Sequence, residues 1–240
     1  RAEPFAGELV VESLRDAGVS VRLGAEAASV KRVDDGSVHI TLADGEQVEA
    51  DELLVATGRT PNTGDIGLEN VGLTPGAWLL VDDTLRALAA DGAPIGGGWL
   101  YAAGDVNRRV LLTHEGKYQA RAVGDVIVAR AKGDPVLDRP WGRHVATADE
   151  PAVPQVVFTE PEIASVGMTA AAASAAGLRT RVVDCDLGAV TGSALYADGY
   201  RGQARMVVDE DRQVIVGFTL AGPDVAELLH AATIAIVGEV

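Results

Sequence analysis

An aspartate follows a glycine at the end of an apolar run, Trp99-Leu100-Tyr101-Ala102-Ala103-Gly104-Asp105. A carboxylate at the C-terminal end of a strand stands where α/β sheets bind ligands, and it accepts hydrogen bonds from hydroxyls. Beyond it, Leu111 and Leu112 lead into Thr113-His114-Glu115, the expected start of a helix. A threonine hydroxyl at that point accepts an orphan backbone N–H, and Glu115 in the first turn suits the helix dipole. The free N–H groups of such a terminus favour partial negative charge. A polyol chain leading to a ring that becomes anionic on reduction, as in a flavin, matches this pair of features. Taken by itself, the Gly104-Asp105 pair is a weak signal and reads more readily as a plain turn before a helix.

Other reactive side chains carry less. His114 and Glu115 are neighbours, and neighbours on a helix diverge, so they are not expected to form an acid–base dyad. His230 falls between apolar turns of the last helix and reads as a packed or surface histidine, and His144 reads as solvated. Cys185 is the one cysteine. It can form neither an intrachain disulfide nor a redox dithiol. It sits in an alternating strand with no basic neighbour or helix terminus to activate it, so an inert core or interface thiol is expected.

The elements that must position these residues follow from periodicity. A helix is expected over 6–17, closed by Gly18, and a strand over Val19–Leu23. A three-stranded meander should follow, with strands at Ser29–Val33, Val38–Leu42 and around Val48, turning at Asp34-Asp35-Gly36 and Asp44-Gly45. Leu53–Ala56 is uninterrupted apolar sequence, as in a parallel strand buried on both faces. Strands are also expected at Leu79–Asp82 and Trp99–Ala103. Leu111, Leu112, Tyr118, Ala122, Val123 and Val126 give the helix after Thr113 its apolar face. Residues 87–98 read as a surface excursion, and 131–152, with three prolines, as a linker. From Val153 onward, strands at 155–158, 180–185, 204–208 and 214–220, a helix closed by Gly177, and a final helix with Val225, Leu228, Leu229, Ala232 and Ile236 on one face predict an α+β layer with a mixed sheet.

The bulk properties narrow the function. Hydrophobic residues make up 48% and charged residues 23% of 240, ordinary for a globular protein. A net charge of −15 disfavours nucleic acid and anionic membrane as partners. No apolar run approaches the ~20 residues that span a bilayer, and no signal peptide is visible, so a cytoplasmic location is expected. No G-x-G-x-x-G opens a helix. Gly96-Gly97-Gly98 precedes a strand and reads as a flexible loop.

Three blocks occur in order: Leu53-Leu54-Val55-Ala56-Thr57-Gly58-Arg59-Thr60-Pro61-Asn62-Thr63, then Tyr101–Asp105 with the helix after Thr113, then Phe158-Thr159-Glu160-Pro161-Glu162-Ile163-Ala164-Ser165-Val166-Gly167-Met168-Thr169. Together they resemble the class I pyridine nucleotide-disulfide oxidoreductases, the family of dihydrolipoamide dehydrogenase, glutathione reductase and mercuric reductase. The resemblance spans nearly the whole chain. It implies the C-terminal part of an α/β two-dinucleotide-binding fold followed by an α+β dimerisation domain. The implied boundaries are 1–62 for the end of the NAD(P) domain, 63–145 for the end of the FAD domain, and 146–240 for an interface domain truncated at its C-terminus.

The resemblance also implies FAD and NAD(P) as cofactors. Gly104 and Asp105 would lie at the flavin ribityl chain, Leu112 and the Thr113 N–H at the pyrimidine edge, and Gly58 and Ala27 near the nicotinamide nucleotide and adenosine. It implies a homodimer through 146–240, a small-molecule disulfide or dithiol substrate, and hydride transfer between NAD(P)H and that substrate through flavin. Phosphate-binding glycine turns, the redox cysteine pair and a His-x-x-x-x-Glu base are expected outside these residues, leaving no catalytic residue assigned within them. Two alternatives stay open. One is a non-catalytic folding and dimerisation unit, and the other is a transhydrogenase or quinone-reductase relative without disulfide chemistry.

Overall fold

The computed structural model describes residues 2–240. The chain forms two compact units. One is Val11–Thr60, and the other combines the residues up to Val10 with Pro61–Val240.

The smaller unit carries the antiparallel meander of β1 (Ala27–Arg32), β2 (Val38–Leu42) and β3 (Gln47–Ala50). The Asp35 carboxylate accepts from Ser37 N and Ser37 Oγ, which fixes the β1–β2 turn, and Asp44 does the same for Glu46 N before β3. Two expected strands are absent here. Val19–Leu23 and Leu53–Ala56 form no strand, Leu23 lies in a turn, and Leu54 is 90% exposed. An apolar run becomes a strand only when another backbone pairs with it, and among the described residues none pairs with these two.

In the larger unit, residues 63–112 hold short bridges and 3-10 turns. Two small cores organise them: Leu68, Leu79 and Ala102, and Leu85 with Ala122 and Ala146. The expected strands at 79–82 and 99–103 are reduced to isolated bridges, Val81 with Ala87 and Arg86 with Tyr101. Residues 87–98 are a tight excursion rather than a purely surface one, because Ala87 and Ile95 are buried. The helix α1 (Pro4–Asp16) begins in this unit and α2 (Thr113–Lys132) crosses it.

The expected linker at 131–152 is packed. Val145, Ala146, Asp149 and Ala152 are buried. His144 is buried too, not solvated, and its Nδ1 accepts from Leu137 N at 2.7 Å. Proline content marked the irregular backbone correctly, but irregular backbone can still be core when its polar groups find partners.

The C-terminal layer is a five-stranded sheet in the order β4 (Gln155–Val157), β5 (Glu162–Gly167), β8 (Val214–Gly222), β7 (Gln203–Asp209), β6 (Thr180–Asp186). Every pairing is antiparallel, not mixed. The connections explain this: β7 and β8 form a hairpin, and α3 (Ala170–Ala175) and α4 (Thr191–Tyr196) return the chain antiparallel on either side of β6. Ala164, Val166, Ala204 and Leu220 on the sheet pack against Val225, Leu229, Ala232 and Ile236, the last three from α5 (Leu229–Gly238). Glu162 Oε2 accepts from Ala226 N and so caps the turn into α5. At the far end of the chain, the buried Glu3 carboxylate accepts from Ala170 N at the start of α3 and pairs with Arg205 on β7 at 3.2 Å.

Leu220 is 2% exposed in the centre of this core. Leu220→Ala is expected to cost about 2–5 kcal/mol through lost transfer energy and a residual cavity. Urea unfolding followed by circular dichroism measures it.

Candidate functional site

The site forms where two glycines let backbones meet. Gly104 has φ 83 and ψ −157, a conformation that L side chains rarely adopt. Gly116 lies in the first turn and a half of α2, and a β-carbon there would sit 3.3 Å from the Gly104 Cα. The turn carrying the exposed Asp105 is therefore seated against the start of α2. This brings together Gly104, Asp105, Leu112 and Thr113. Gly58 (φ +146) and Ala27, the first residue of β1, belong to the smaller unit, and both are exposed there.

Thr113 is the first residue of α2, as expected, but its hydroxyl does not cap the helix. The cap position is Leu112, in extended conformation, with no side-chain hydrogen bond. Threonine comes one residue too late to reach the second and third N–H groups of the helix. Leu112 offers the terminus no side-chain acceptor, and the helix dipole favours an anionic or electron-rich ligand there.

Behind the terminus is a buried polar network. Gln119 is fully buried. Its Oε1 accepts from Gly104 N at 2.7 Å and from Asn107 Nδ2 at 2.8 Å, and its Nε2 donates to Asp149 Oδ2 at 2.9 Å. Asn107 Nδ2 also donates to Ala102 O. Glu115 is buried against Asp149. Burial first, then the Asp149 charge and the contact between the two carboxyls, raise the Glu115 carboxyl to about 7. Asp149 is also raised, chiefly by burial, against the opposing pull of Gln119 and Arg109.

His114 Nε2 donates to Pro154 O at 2.9 Å and lies 3.6 Å from Glu115 Oε1. At 3.6 Å the two are too far apart for a hydrogen bond, so they form no hydrogen-bonded acid–base dyad, as expected of helix neighbours. His114 and His230 line one cleft of ≈ 590 Å³ together with Leu112, Thr113, Phe158 and Ile234. Phe158 is 82% exposed on its rim. Cys185 is exposed on β6, not in the core, since β6 is a sheet edge with both faces open.

Two family models cover most of the chain. Residues 1–131 match the pyridine nucleotide-disulphide oxidoreductase model, and residues 153–240 match the dimerisation domain of the same family. The chain belongs to the pyridine nucleotide-disulphide oxidoreductases. Among relatives, dihydrolipoyl dehydrogenase of Haloferax volcanii is 34% identical over 98% of this chain and 46% of its own length. Mercuric reductase of Shigella flexneri is 32% identical over 98% of this chain and 38% of its own. Among solved structures, LpdA from Mycobacterium tuberculosis superposes with a TM-score of 0.77 at 28% identity, covering all of this chain and 48% of that one. The chain thus spans half or less of the length of these oxidoreductases.

Gln119, Asn107, Asp149 and Gly116 were not anticipated as site residues. The available signal was a glycine and two polar residues, Glu115 and Gln119, on the face that Ala122, Val126 and Ala129 continue into the core. Polar residues in register with a buried stripe mark a network rather than a solvated face. Gln119→Leu would leave Gly104 N and Asn107 Nδ2 short of an acceptor and Asp149 short of a donor. It is expected to destabilise the fold by about 2–4 kcal/mol, read from urea unfolding, with faster exchange of the Gly104 amide by NMR.

Proposed function

We propose that the chain is the flavin- and interface-bearing part of an FAD-dependent oxidoreductase that passes a hydride between NAD(P)H and a disulfide or dithiol substrate. Family membership supplies the class of enzyme. The observation that carries the proposal to this chain is the seating of the Gly104-Asp105 turn on the start of α2, where Leu112 makes no side-chain cap. An exposed carboxylate beside a helix N-terminus suits a ligand with hydroxyls at one end and an electron-accepting ring at the other.

FAD, when bound, supplies the two-electron chemistry between nicotinamide and disulfide. In this assignment Asp105 would accept hydroxyl hydrogens of the ribityl chain, and Leu112 and the Thr113 backbone would hold the pyrimidine edge, where the α2 dipole would favour added negative charge. Gly104 and Gly116 admit backbone closely enough to hold turn and helix in one geometry. On the nicotinamide side, Gly58 offers backbone without a side chain, and Ala27 is assigned to the adenosine end. The interface sheet with α5 pairs two copies across the apolar surface that includes Phe158 and Ile234. The dimerisation-domain match supports that pairing.

The test uses the flavoprotein that carries this chain, purified with its cofactor. Anaerobic NADH or NADPH is expected to bleach the flavin absorbance, and lipoamide or oxidised glutathione to restore it. Asp105→Ala is expected to lower FAD retention at least tenfold, with the far-ultraviolet dichroism unchanged. A protein that folds and retains FAD equally well with Asp105→Ala would overturn the assignment of this residue. A flavin that NAD(P)H does not reduce would overturn the proposed reaction.

A further inference from the structure

Two buried carboxyls meet where α2 begins. Glu115 stands in its first turn, and Asp149 ends the 3-10 turn Thr147–Asp149 that precedes β4. The two side chains are 6% and 1% exposed. Each carries one buried oxygen without a hydrogen-bond donor, Glu115 Oε2 and Asp149 Oδ1. Of their other oxygens, Asp149 Oδ2 accepts from Gln119 Nε2 and lies 3.8 Å from the Arg109 guanidinium, and Glu115 Oε1 lies 3.6 Å from His114 Nε2, beyond hydrogen-bond reach.

Leaving two acceptors orphaned in the interior is costly, and two ionised carboxylates in contact repel each other strongly. One proton removes both penalties, because a protonated carboxyl donates to its ionised neighbour. We propose that Glu115 and Asp149 hold one proton between them, and that this proton clasps the first turn of α2 to the Thr147–Asp149 turn while keeping Glu115 uncharged. Glu115 is then a positioning residue for the helix terminus.

The surrounding charges agree with this division. On the α2 side stand the half-exposed His114 and the Tyr118 hydroxyl, which bridges towards Val145 O and Ala148 N. From the segment before α2 comes Arg109, whose guanidinium is shared with Asp83 at 2.9 Å. Arg109 and Gln119 both favour the ionised form of Asp149, so the proton resides on Glu115. The consequence rests on the flavin assignment above. A carboxylate in the first turn would oppose negative charge on a ring placed at that terminus, and a neutral carboxyl does not.

The shared proton has a pH signature with a definite sign. Free glutamate ordinarily titrates at 4.5 and Glu115 is raised to about 7. The stabilisation is therefore complete below the lower value and is lost as the pH rises through the higher one. Carboxyl ¹³C NMR of the 240-residue chain is expected to show Glu115 titrating near 7, and to move it downward in Asp149→Asn. Glu115→Gln keeps a donor facing Asp149. It is expected to flatten the loss of urea stability that the wild type shows between about pH 5 and 8. Wild-type Glu115 titrating in the ordinary carboxylate range, or unmoved by Asp149→Asn, would overturn the shared proton. That titration decides the question whether or not either variant folds.

In the flavin-loaded protein, the plot of midpoint potential against pH is expected to bend near 7 and to lose that bend in Glu115→Gln. A wild-type titration near 7 with the same potential profile in both proteins would overturn the link to the ring and keep the clasp. A protein that titrates as expected but takes up no FAD would instead sink the flavin assignment.

Discussion

Gln119 has no exposed surface, yet both ends of its amide are committed. The oxygen receives two donors, Gly104 N and Asn107 Nδ2, and the nitrogen is spent on Asp149. An amide in the interior must be satisfied or it costs more than it contributes. Meeting that condition requires three stretches of chain to arrive together: the turn at 104–107, the helix α2, and the turn at 147–149. The candidate site is the outer surface of this junction. Asp105 is held where it is because Gly104 is tied to Gln119 from behind. The α2 terminus is held because Glu115, four residues before Gln119, leans on the same aspartate.

The junction also explains why the site needs so little sequence of its own. The outward-facing groups are a carboxylate and a run of backbone N–H groups, and neither is distinctive by type. What distinguishes them is placement, and placement comes from the buried partners. A polar network inside a protein rigidifies its surroundings when every member is satisfied. The Glu115–Asp149 pair is the one place in this network where buried side-chain oxygens lack a hydrogen-bond donor among the described residues.

Helices and antiparallel pairs were readable from periodicity because their hydrogen bonds are local or lie between near neighbours. The meander, the β7–β8 hairpin, the start of α2 at Thr113 and the packing of Leu229, Ala232 and Ile236 on α5 follow directly from the residue pattern, whereas Val225 and Leu228 lie in the 3-10 turn before α5 and Leu228 is exposed. The runs at 19–23 and 53–56 were misjudged because apolar alternation describes a strand's faces and says nothing about its partners. The buried histidine at 144 was missed for a related reason: its partner, Leu137 N, lies in irregular backbone that no period describes. At the site, Asp105 and Thr113 could be recognised from the chain, whereas Gln119 and Asp149 could not. Their role depends on a contact across a separation of 30 residues that has no local signature.

Glu3 makes bonds that close loops of 167 and 202 residues, to Ala170 N and to Arg205. Closing about 200 residues of flexible chain costs roughly 5 kcal/mol of entropy, more than one ion pair and one hydrogen bond return on their own. These bonds can therefore persist only after β7 and α3 have been assembled by shorter-range contacts. In kinetic terms they are expected to form late, after the folding barrier. Weakening them is expected to speed unfolding more than it slows folding, so the stretch before α1 ties to the C-terminal layer as a latch on its lifetime.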